Sequence, residues 1–214
     1  MIKGDFSRRK LTNRKLTREF YTGDLIPVAK SLLGKTLVKE DGDRLFAGRI
    51  VEVEAYDGAV DEAAHTFIGR TPRNEIMFGI GGYLYVYFTY GMYFCCNVVT
   101  GHEGEGKAVL LRAVEPIEGI EAMVQNRMKR DLVNIDNLTK KEYHNLTSGP
   151  GKLCQAFNIR REDNGTDLLG SRIYILDGGD VKSEDIVTSR RIGITKSVEL
   201  PWRFFIKNNP FVSK

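Results

Sequence analysis

Two glutamates in the stretch RIVEVEAY, residues 49–56, could do acid–base chemistry. The apolar residues of this stretch alternate with Glu52, Glu54 and Tyr56, so a β-strand would set two carboxylates beside an aromatic ring on one face. One carboxylate of such a pair can act as a general base. An exposed strand would carry the same residues for solubility alone. His65, in DEAAH, and Arg73, in TPRN, follow closely and favour chemistry, although a histidine there is also compatible with a core position.

A row of tyrosines in YLYVYFTYGMYF could bind a planar ligand. Tyr83, Tyr85 and Tyr87 alternate with apolar residues, which predicts a strand with two different faces, and cross-strand packing is the ordinary use of such a row. The alternation breaks at TYGM, where a turn would project Tyr90 and Met92 from the sheet. Protruding apolar side chains are costly in water unless they meet a partner. The base stack of a duplex, entered from the minor groove, is one such partner.

The segment GHEGEGK, residues 101–107, has the glycine and lysine spacing of a phosphate-binding P-loop. Ala108 stands where that motif requires Ser or Thr, and the flanking residues read as two strands rather than a strand and a helix. A hairpin turn is therefore the favoured interpretation. A nucleotide hydrolase built on this segment is therefore the weakest of the functional alternatives considered for this sequence.

Composition is compatible with one intracellular domain. The chain has 214 residues, 42% of them hydrophobic, which is enough for one sizeable core. Its net charge of +4 suits a nucleic-acid partner and equally an ordinary surface. The cysteines at 95, 96 and 154 have neither metal-ligand nor redox spacing and are expected to be reduced thiols. No stretch has transmembrane length, so we expect no membrane association and a cytoplasmic or, in a bacterium, nucleoid-associated protein.

The elements that must position these residues mix helices and strands without regular βαβ alternation. We predict that residues 1–18 form a basic, flexible tail and that residues 19–214 form one domain. The predicted fold is α+β, with a curled, mostly antiparallel sheet, surrounding helices and a protruding β-hairpin. Helices are predicted over 25–33, 119–128 and around 153–157, and strands over 36–40, 45–56, 83–88, 109–111, 171–176, 190–195 and 203–206.

Taken together, the motifs resemble those of the alkyladenine (3-methyladenine) DNA glycosylase family. The matching blocks are GRIVEVEAY, DEAAH, TPRN, LYVYFTYGMYFCCN, VLLRAVEP and SGPGKLCQA, in that order, and the likeness runs from Phe20 to the C-terminal strands. Several blocks in order are much more specific than any single motif. The resemblance implies that damaged purines are excised from duplex DNA by hydrolysis of the N-glycosidic bond.

The resemblance also implies roles for residues that match the motifs. Glu54 would be the general base that activates water, with Arg112 positioning that chemistry. The pocket around a flipped-out base would be lined by Tyr56, His65 and Tyr87, with Asn97 beneath it. Tyr90 would fill the gap that the nucleotide leaves. Contacts to the strand near the lesion would come from Met92, Arg73, Met77 and Lys152. Glu52, on the same predicted face as Glu54, is the competing candidate for the base.

The partner implied is double-stranded DNA that contains damaged purines and is contacted from the minor groove. Because water is the nucleophile, we expect no metal, no cofactor and no abasic-lyase activity, and one protomer suffices. A different functional class is also open: a non-catalytic module that binds damaged DNA or RNA through the aromatic strand. Glu54 discriminates between the two, because a binder gains nothing from a carboxylate directed at a polyanion.

Overall fold

The computed structural model describes residues 15–89, 91–129 and 138–213. Within these ranges, helices surround one antiparallel sheet. The strands are β1 (Thr36–Asp41), β2 (Arg44–Asp57), β3 (Tyr83–Thr89), β4 (Tyr93–Thr100), β5 (Lys107–Glu118), β6 (Thr166–Asp167), β7 (Ile173–Leu176), β8 (Ile186–Ser189) and β9 (Arg203–Ile206). The α-helices are α1 (Arg18–Tyr21), α2 (Leu25–Leu32), α3 (Ile120–Met128), α4 (Lys140–His144) and α5 (Pro150–Ala156). Turns of 3-10 helix lie at Glu75–Phe78, Arg161–Asp163 and Ser183–Asp185.

The sheet has the order β6-β3-β4-β5-β2-β1-β7, and each strand is antiparallel to its neighbours. β1 pairs with the first half of β2, whereas β9 pairs with the second half and carries β8 on its other side. The sheet therefore divides at β2 and curls. The predicted α+β class, the curled antiparallel sheet and the hairpin of β3 and β4 are confirmed.

The long pairing of β2 with β5 contains a β-bulge in the middle of the sheet. Ile50 pairs with Val114 and Val53 pairs with Leu111, while the residues between them shift register. Arg112 falls at this irregularity. A bulge rotates the side chains of its strand relative to regular pairing and so can redirect one of them. Here it accompanies an arginine that points at two glutamates of the neighbouring strand.

Helix α2 follows the predicted periodicity, with Leu25, Val28, Ala29 and Leu32 buried on its inner side. Gly34 follows with a φ of +83°, a conformation that glycine adopts without the steric cost of a side chain. The glycine-rich segment 101–107 joins β4 to β5 as a turn, as predicted, and no helix follows it. The P-loop interpretation therefore lacks its structural context.

The prediction of a strand over residues 190–195 is wrong. The strand in this region is β8, which ends at Ser189, and an irregular segment follows it. Two features explain the difference. Arg191 is drawn inward to the buried carboxylate of Asp61, and Gly193 has a φ of +78°, which regular strand geometry does not allow.

The first described residues pack on the domain. Lys15 forms an isolated bridge with Leu176, Leu16 is buried, and Arg18 contacts Asp167 at 2.9 Å. Residues 15–18, which we assigned to the basic tail, therefore lie against the sheet, and the remainder of the predicted tail, residues 1–14, is outside the described residues. Across the described ranges, no helix combines the length and the apolar character that crossing a bilayer requires.

Candidate active site

A cavity of about 410 Å³ opens between β3, β4, β5 and the segment after β8. That volume lies in the range of small-molecule sites in proteins. Of the residues singled out in the sequence, six line it: Tyr56, His65, Met77, Tyr87, Asn97 and Arg112. The remaining lining residues are mostly small or aliphatic: Ala63, Thr89, Cys95, Leu110, Pro150, Ile192, Gly193 and Ile194.

Behind the cavity lies a buried cluster of two carboxylates and one guanidinium. The predicted alternation of β2 holds, because Glu52 and Glu54 both reach Arg112. Arg112 Nε is 2.9 Å from Glu52 Oε1, and its Nη1 is 3.1 Å from Glu54 Oε2. Both carboxylates are 0% exposed, so the alternative of an exposed strand that carries them for solubility does not apply. Burial is possible because two guanidinium groups, those of Arg112 and Arg203, compensate the two negative charges.

Glu54 is held at both oxygens. Its Oε1 accepts a hydrogen bond of 2.7 Å from the backbone N–H of Ile192, and its Oε2 accepts one of 2.9 Å from the Tyr56 hydroxyl. Glu54 does not itself line the cavity, but Tyr56, Arg112 and Ile192, which contact it, all do. The carboxylate therefore lies directly behind the cavity wall.

Glu52 accepts more hydrogen bonds than Glu54, and two of the residues that donate them, Arg203 and Ser213, do not line the cavity. Its Oε1 accepts hydrogen bonds from Arg203 Nε at 2.7 Å and Ser213 Oγ at 2.8 Å, in addition to the Arg112 contact. Its Oε2 accepts one from the backbone N–H of Ser213 at 2.6 Å. A carboxylate with this many donors has little capacity left to bind another group. These contacts favour a structural role for Glu52 and leave Glu54 as the stronger candidate for a general base.

One wall of the cavity is a cluster of aromatic rings. Tyr85 and Tyr87 are stacked with centroids 5.2 Å apart, and His65 meets the Tyr87 ring edge-on at 4.6 Å. His65 Nδ1 is 3.1 Å from the Tyr85 hydroxyl, which orients the imidazole. Asn74 fixes the same loop by donating from Nδ2 to the His65 carbonyl at 2.8 Å. Neither Tyr85 nor Asn74 was among the predicted site residues; both contact His65.

The ionisable groups of this wall are uncharged at neutral pH. Burial raises the pKa of the Tyr56 and Tyr87 phenols well above their ordinary range. Burial also raises the pKa of the Cys95 thiol to about 12. Cys95, Cys96 and Cys154 are all free thiols, as predicted. Burial lowers the pKa of His65 below its ordinary value of 6.5, and the positive charge of Arg73 lowers it further.

Asn97, which lines the cavity, has a side-chain acceptor for which the described residues supply no partner. The residue is 4% exposed, and within the described ranges its Oδ1 receives no hydrogen bond. A buried polar atom left unpaired costs roughly 1–3 kcal/mol, so a ligand that donates a hydrogen bond to Oδ1 would recover this cost. The amide is in position to meet the edge of a ligand.

The residues predicted to contact DNA have different positions. Met92 lies at the tip of the β3–β4 hairpin and is 65% exposed. Arg73 is exposed and donates from Nη2 to the Phe88 carbonyl at 3.4 Å. Lys152 lies in the first turn of α5 and donates to Asn145 Oδ1. Met77 is 1% exposed and lines the cavity, so it belongs to the pocket rather than to an outer contact surface. Tyr90 lies outside the described residues.

Arg73→Gln is expected to raise the pKa of His65 toward 6.5, because one of the two effects that lower it is removed. The folded-state pKa lies below the unfolded-state value, so the free energy of unfolding should fall as pH drops from 6.5 through the folded-state pKa. That fall should be smaller in the variant. An NMR titration of the His65 imidazole measures the first effect. Arg70→Gln, an equal charge change at a neighbouring exposed arginine, is the control, and identical titrations of Arg73→Gln and the native chain would contradict the assignment.

In the described part of the chain, no group of three or more His, Cys, Asp or Glu side chains is arranged to hold a metal ion. The fold and the cavity define a single-domain α+β protein with a cavity that aromatic rings line and a buried carboxylate backs. Residues 19–210 match the methylpurine-DNA glycosylase family, and the chain belongs to that family.

Relatives in three bacteria agree with this membership. A protein of Alkaliphilus oremlandii named "Putative 3-methyladenine DNA glycosylase" is 50% identical over 204 residues, which cover 94% of this chain and 99% of the relative. One of the same name in Clostridium acetobutylicum is 52% identical and covers 93% of this chain and 97% of its own length. A third, in Desulfitobacterium hafniense, is 47% identical, with 94% and 98% covered.

Proposed function

We propose that this protein is a DNA glycosylase that flips damaged purines, alkylated or deaminated, out of duplex DNA and hydrolyses the bond between base and sugar. The observation that carries the proposal is the buried Glu54, held by Arg112 and the Ile192 amide directly behind a cavity lined by aromatic rings. The family and the names of the relatives support the same activity.

Recognition of the base rests on the aromatic wall. Tyr56 and Tyr87 stack on the flipped base, and stacking is worth roughly 1–3 kcal/mol per base. Many alkylated purines are cationic, and attraction of the cation to a tyrosine face adds about 2 kcal/mol once water is excluded. Neutral His65 recognises the edge of the purine at position 6. Asn97 lies beneath the base, where the exocyclic amino group of guanine collides with it.

Hydrolysis follows from the environment of Glu54. The oxygen of a water molecule attacks C1′ of the deoxyribose as the bond from C1′ to the purine nitrogen breaks, and the base leaves with the bonding electron pair. Glu54 accepts the proton of the attacking water and stabilises the positive charge that develops on the sugar. Arg112 compensates the charge of the carboxylate and orients it. A cationic base leaves as a neutral molecule, so such substrates need no general acid.

No metal is required, because the attacking group is water activated by a carboxylate. Abasic-lyase activity normally needs an amine nucleophile, and among the described residues no lysine lines the cavity. A single protomer carries all of the proposed groups, so the enzyme acts as a monomer.

Contact with DNA is made from the minor groove by the β3–β4 hairpin. Tyr90 fills the space that the flipped nucleotide leaves, Met92 packs beside it, and Arg73 and Lys152 contact the phosphates of the damaged strand. Filling the gap offsets part of the unstacking cost, which is on the order of a few kcal/mol.

Met92→Ser is expected to weaken binding of damaged duplex about tenfold, because the hairpin tip loses roughly 1.4 kcal/mol of apolar burial against the base stack. Melting temperature should not change, since Met92 is 65% exposed in the free protein. Fluorescence anisotropy measures the affinity. Leu169→Ser, beyond β6 at the opposite end of β3, serves as the matched control, and an equal loss in both variants would count against a role for the tip.

The proposed activity is tested with duplex oligonucleotides that contain one hypoxanthine or one 3-methyladenine, in EDTA. Free base should appear from at least one damaged duplex and not from the undamaged one, and the strand should break only after alkali treatment. Binding of damaged duplex without release of base would overturn the proposal in favour of the damage-binding module. Strand cleavage without alkali would contradict the absence of lyase activity.

A further inference from the structure

Arg191 is the most deeply held cation near the cavity, and the mechanism above does not use it. Its guanidinium side chain is 0% exposed. Both terminal nitrogens contact the Asp61 carboxylate, with Nη2 2.8 Å from Oδ1 and Nη1 bonded to Oδ2. Nη1 also donates to the Ala55 carbonyl at 3.1 Å, and Nη2 to the Ser197 carbonyl at 3.2 Å. A buried ion pair with this many additional hydrogen bonds resists rearrangement.

These contacts join three separate parts of the cavity wall. Asp61 begins the loop that carries Ala63 and His65, Ala55 lies on β2 between Glu54 and Tyr56, and Ser197 closes the segment after β8. Each of these parts contributes lining residues, and the planar fork of arginine is what allows one side chain to reach all three.

Arg191 also fixes the Tyr56 ring. Its guanidinium carbon lies over that ring at 4.6 Å from the centroid, and it lies 5.6 Å from the centroid of Trp202. One face of Tyr56 is therefore occupied by a cation, and only the other face is available to a ligand. The Tyr56 hydroxyl donates to Glu54, so the orientation of the ring and that of the carboxylate are coupled.

The residue that follows Arg191 contacts Glu54 directly. Ile192 donates its backbone N–H to Glu54 Oε1 at 2.7 Å. A loop segment that begins after β8 has no ladder of strand hydrogen bonds to hold this amide in place. The buried pair with Asp61, one residue earlier, supplies the anchor.

From these contacts we propose that Arg191, paired with Asp61, is the positioning residue for Glu54. It acts through the Ile192 amide and the Tyr56 ring and touches neither base nor water. The inference rests on the proposed glycosylase activity for its catalytic consequence, but its structural content, control of the Ile192 amide, is independent of that activity.

The test replaces both members of the pair, Arg191→Gln together with Asp61→Asn, so that no charge is left buried without a partner. Exchange of the Ile192 amide hydrogen with solvent should become at least about tenfold faster, because the amide is no longer anchored against its acceptor, Glu54 Oε1. The single-turnover rate of base release should fall about 10- to 100-fold, the effect of displacing a catalytic group by a fraction of an ångström to 1 Å. Affinity for the damaged duplex should change by less than about threefold, since the hairpin is untouched.

The matched control is Lys39→Gln with Asp163→Asn, which neutralises a second buried ion pair, 2.8 Å long, whose residues do not line the cavity. This double substitution should lower the melting temperature without changing either the exchange of the Ile192 amide or the rate of base release. Unchanged exchange of Ile192 in the Arg191 and Asp61 variant would overturn the proposal. Faster exchange with an unchanged rate of release would overturn the catalytic consequence.

A native chain that releases no base would refute the proposed function and leave the exchange measurement to decide the positioning role by itself. Arg191→Lys separates charge from geometry, because lysine compensates Asp61 but cannot reach the Ala55 and Ser197 carbonyls together. Its rate should lie below that of the native chain, and a native rate would contradict the need for the fork.

Discussion

Glu54→Gln is expected to lower the single-turnover rate of base release by a factor of about 10² to 10⁴, the usual contribution of a positioned general base. The amide cannot accept the proton of the attacking water and offers no negative charge to the developing sugar cation. It can still accept a hydrogen bond from Ile192, so the fold and the cavity should persist. Release of base and affinity for the damaged duplex are measured on the same preparation in EDTA.

The control for this prediction is Glu103→Gln, which makes the same charge change at an exposed position in the turn between β4 and β5. It should bind and release as the native chain does. A Glu54→Gln variant that binds damaged DNA and releases base at the native rate would remove Glu54 from the mechanism. Loss of binding together with release would instead show that the amide disrupts the fold.

Arg112→Met is expected to lower the free energy of unfolding by about 3–5 kcal/mol, because it leaves Glu54 buried without the guanidinium that contacts it. Urea denaturation measures the loss. The matched control is Arg49→Met on the same β2 strand, where the ion pair with Glu115 is 4.0 Å long and 43% and 39% exposed. That exposed pair should contribute at most about 1 kcal/mol.

Adding Glu54→Gln to Arg112→Met should recover part of the lost stability, since the uncompensated charge disappears, but none of the activity. Equal and small losses of stability in Arg112→Met and Arg49→Met would contradict the assignment of a buried charge cluster. Full recovery of base release in the double variant would contradict the role of Glu54 as base.

Local patterns predicted much of the fold. Alternation correctly identified β2 and β3, the spacing of Leu25, Val28 and Leu32 identified α2, and the missing hydroxyl at Ala108 correctly argued against a P-loop. These features depend on neighbours in sequence, which is the information that periodicity contains. The placement of Glu52 and Glu54 on one face follows from the same period.

Long-range contacts could not be predicted in this way. The bulge at Arg112 depends on how β2 and β5 pair. The burial of Met77 depends on the packing of its 3-10 turn against the sheet. Residues 190–195 have a strand-like composition, yet Arg191 pairs with the Asp61 carboxylate, 130 residues away in the sequence. Glu52 differs from Glu54 in the number of hydrogen bonds that it accepts, and that number likewise depends on a distant residue, Ser213.

The separation of these contacts along the chain has a consequence for folding order. Ile192 reaches Glu54 across 138 residues, and Ser213 reaches Glu52 across 161. Contacts that close such long loops form late, because the loop entropy must be offset before they contribute. A folding intermediate in which the hairpins β1–β2 and β3–β4 are paired would carry the aromatic wall but lack both backbone donors. If Glu54 is the base, catalytic competence arises only at the last stage of folding, and incompletely folded chains do not attack DNA.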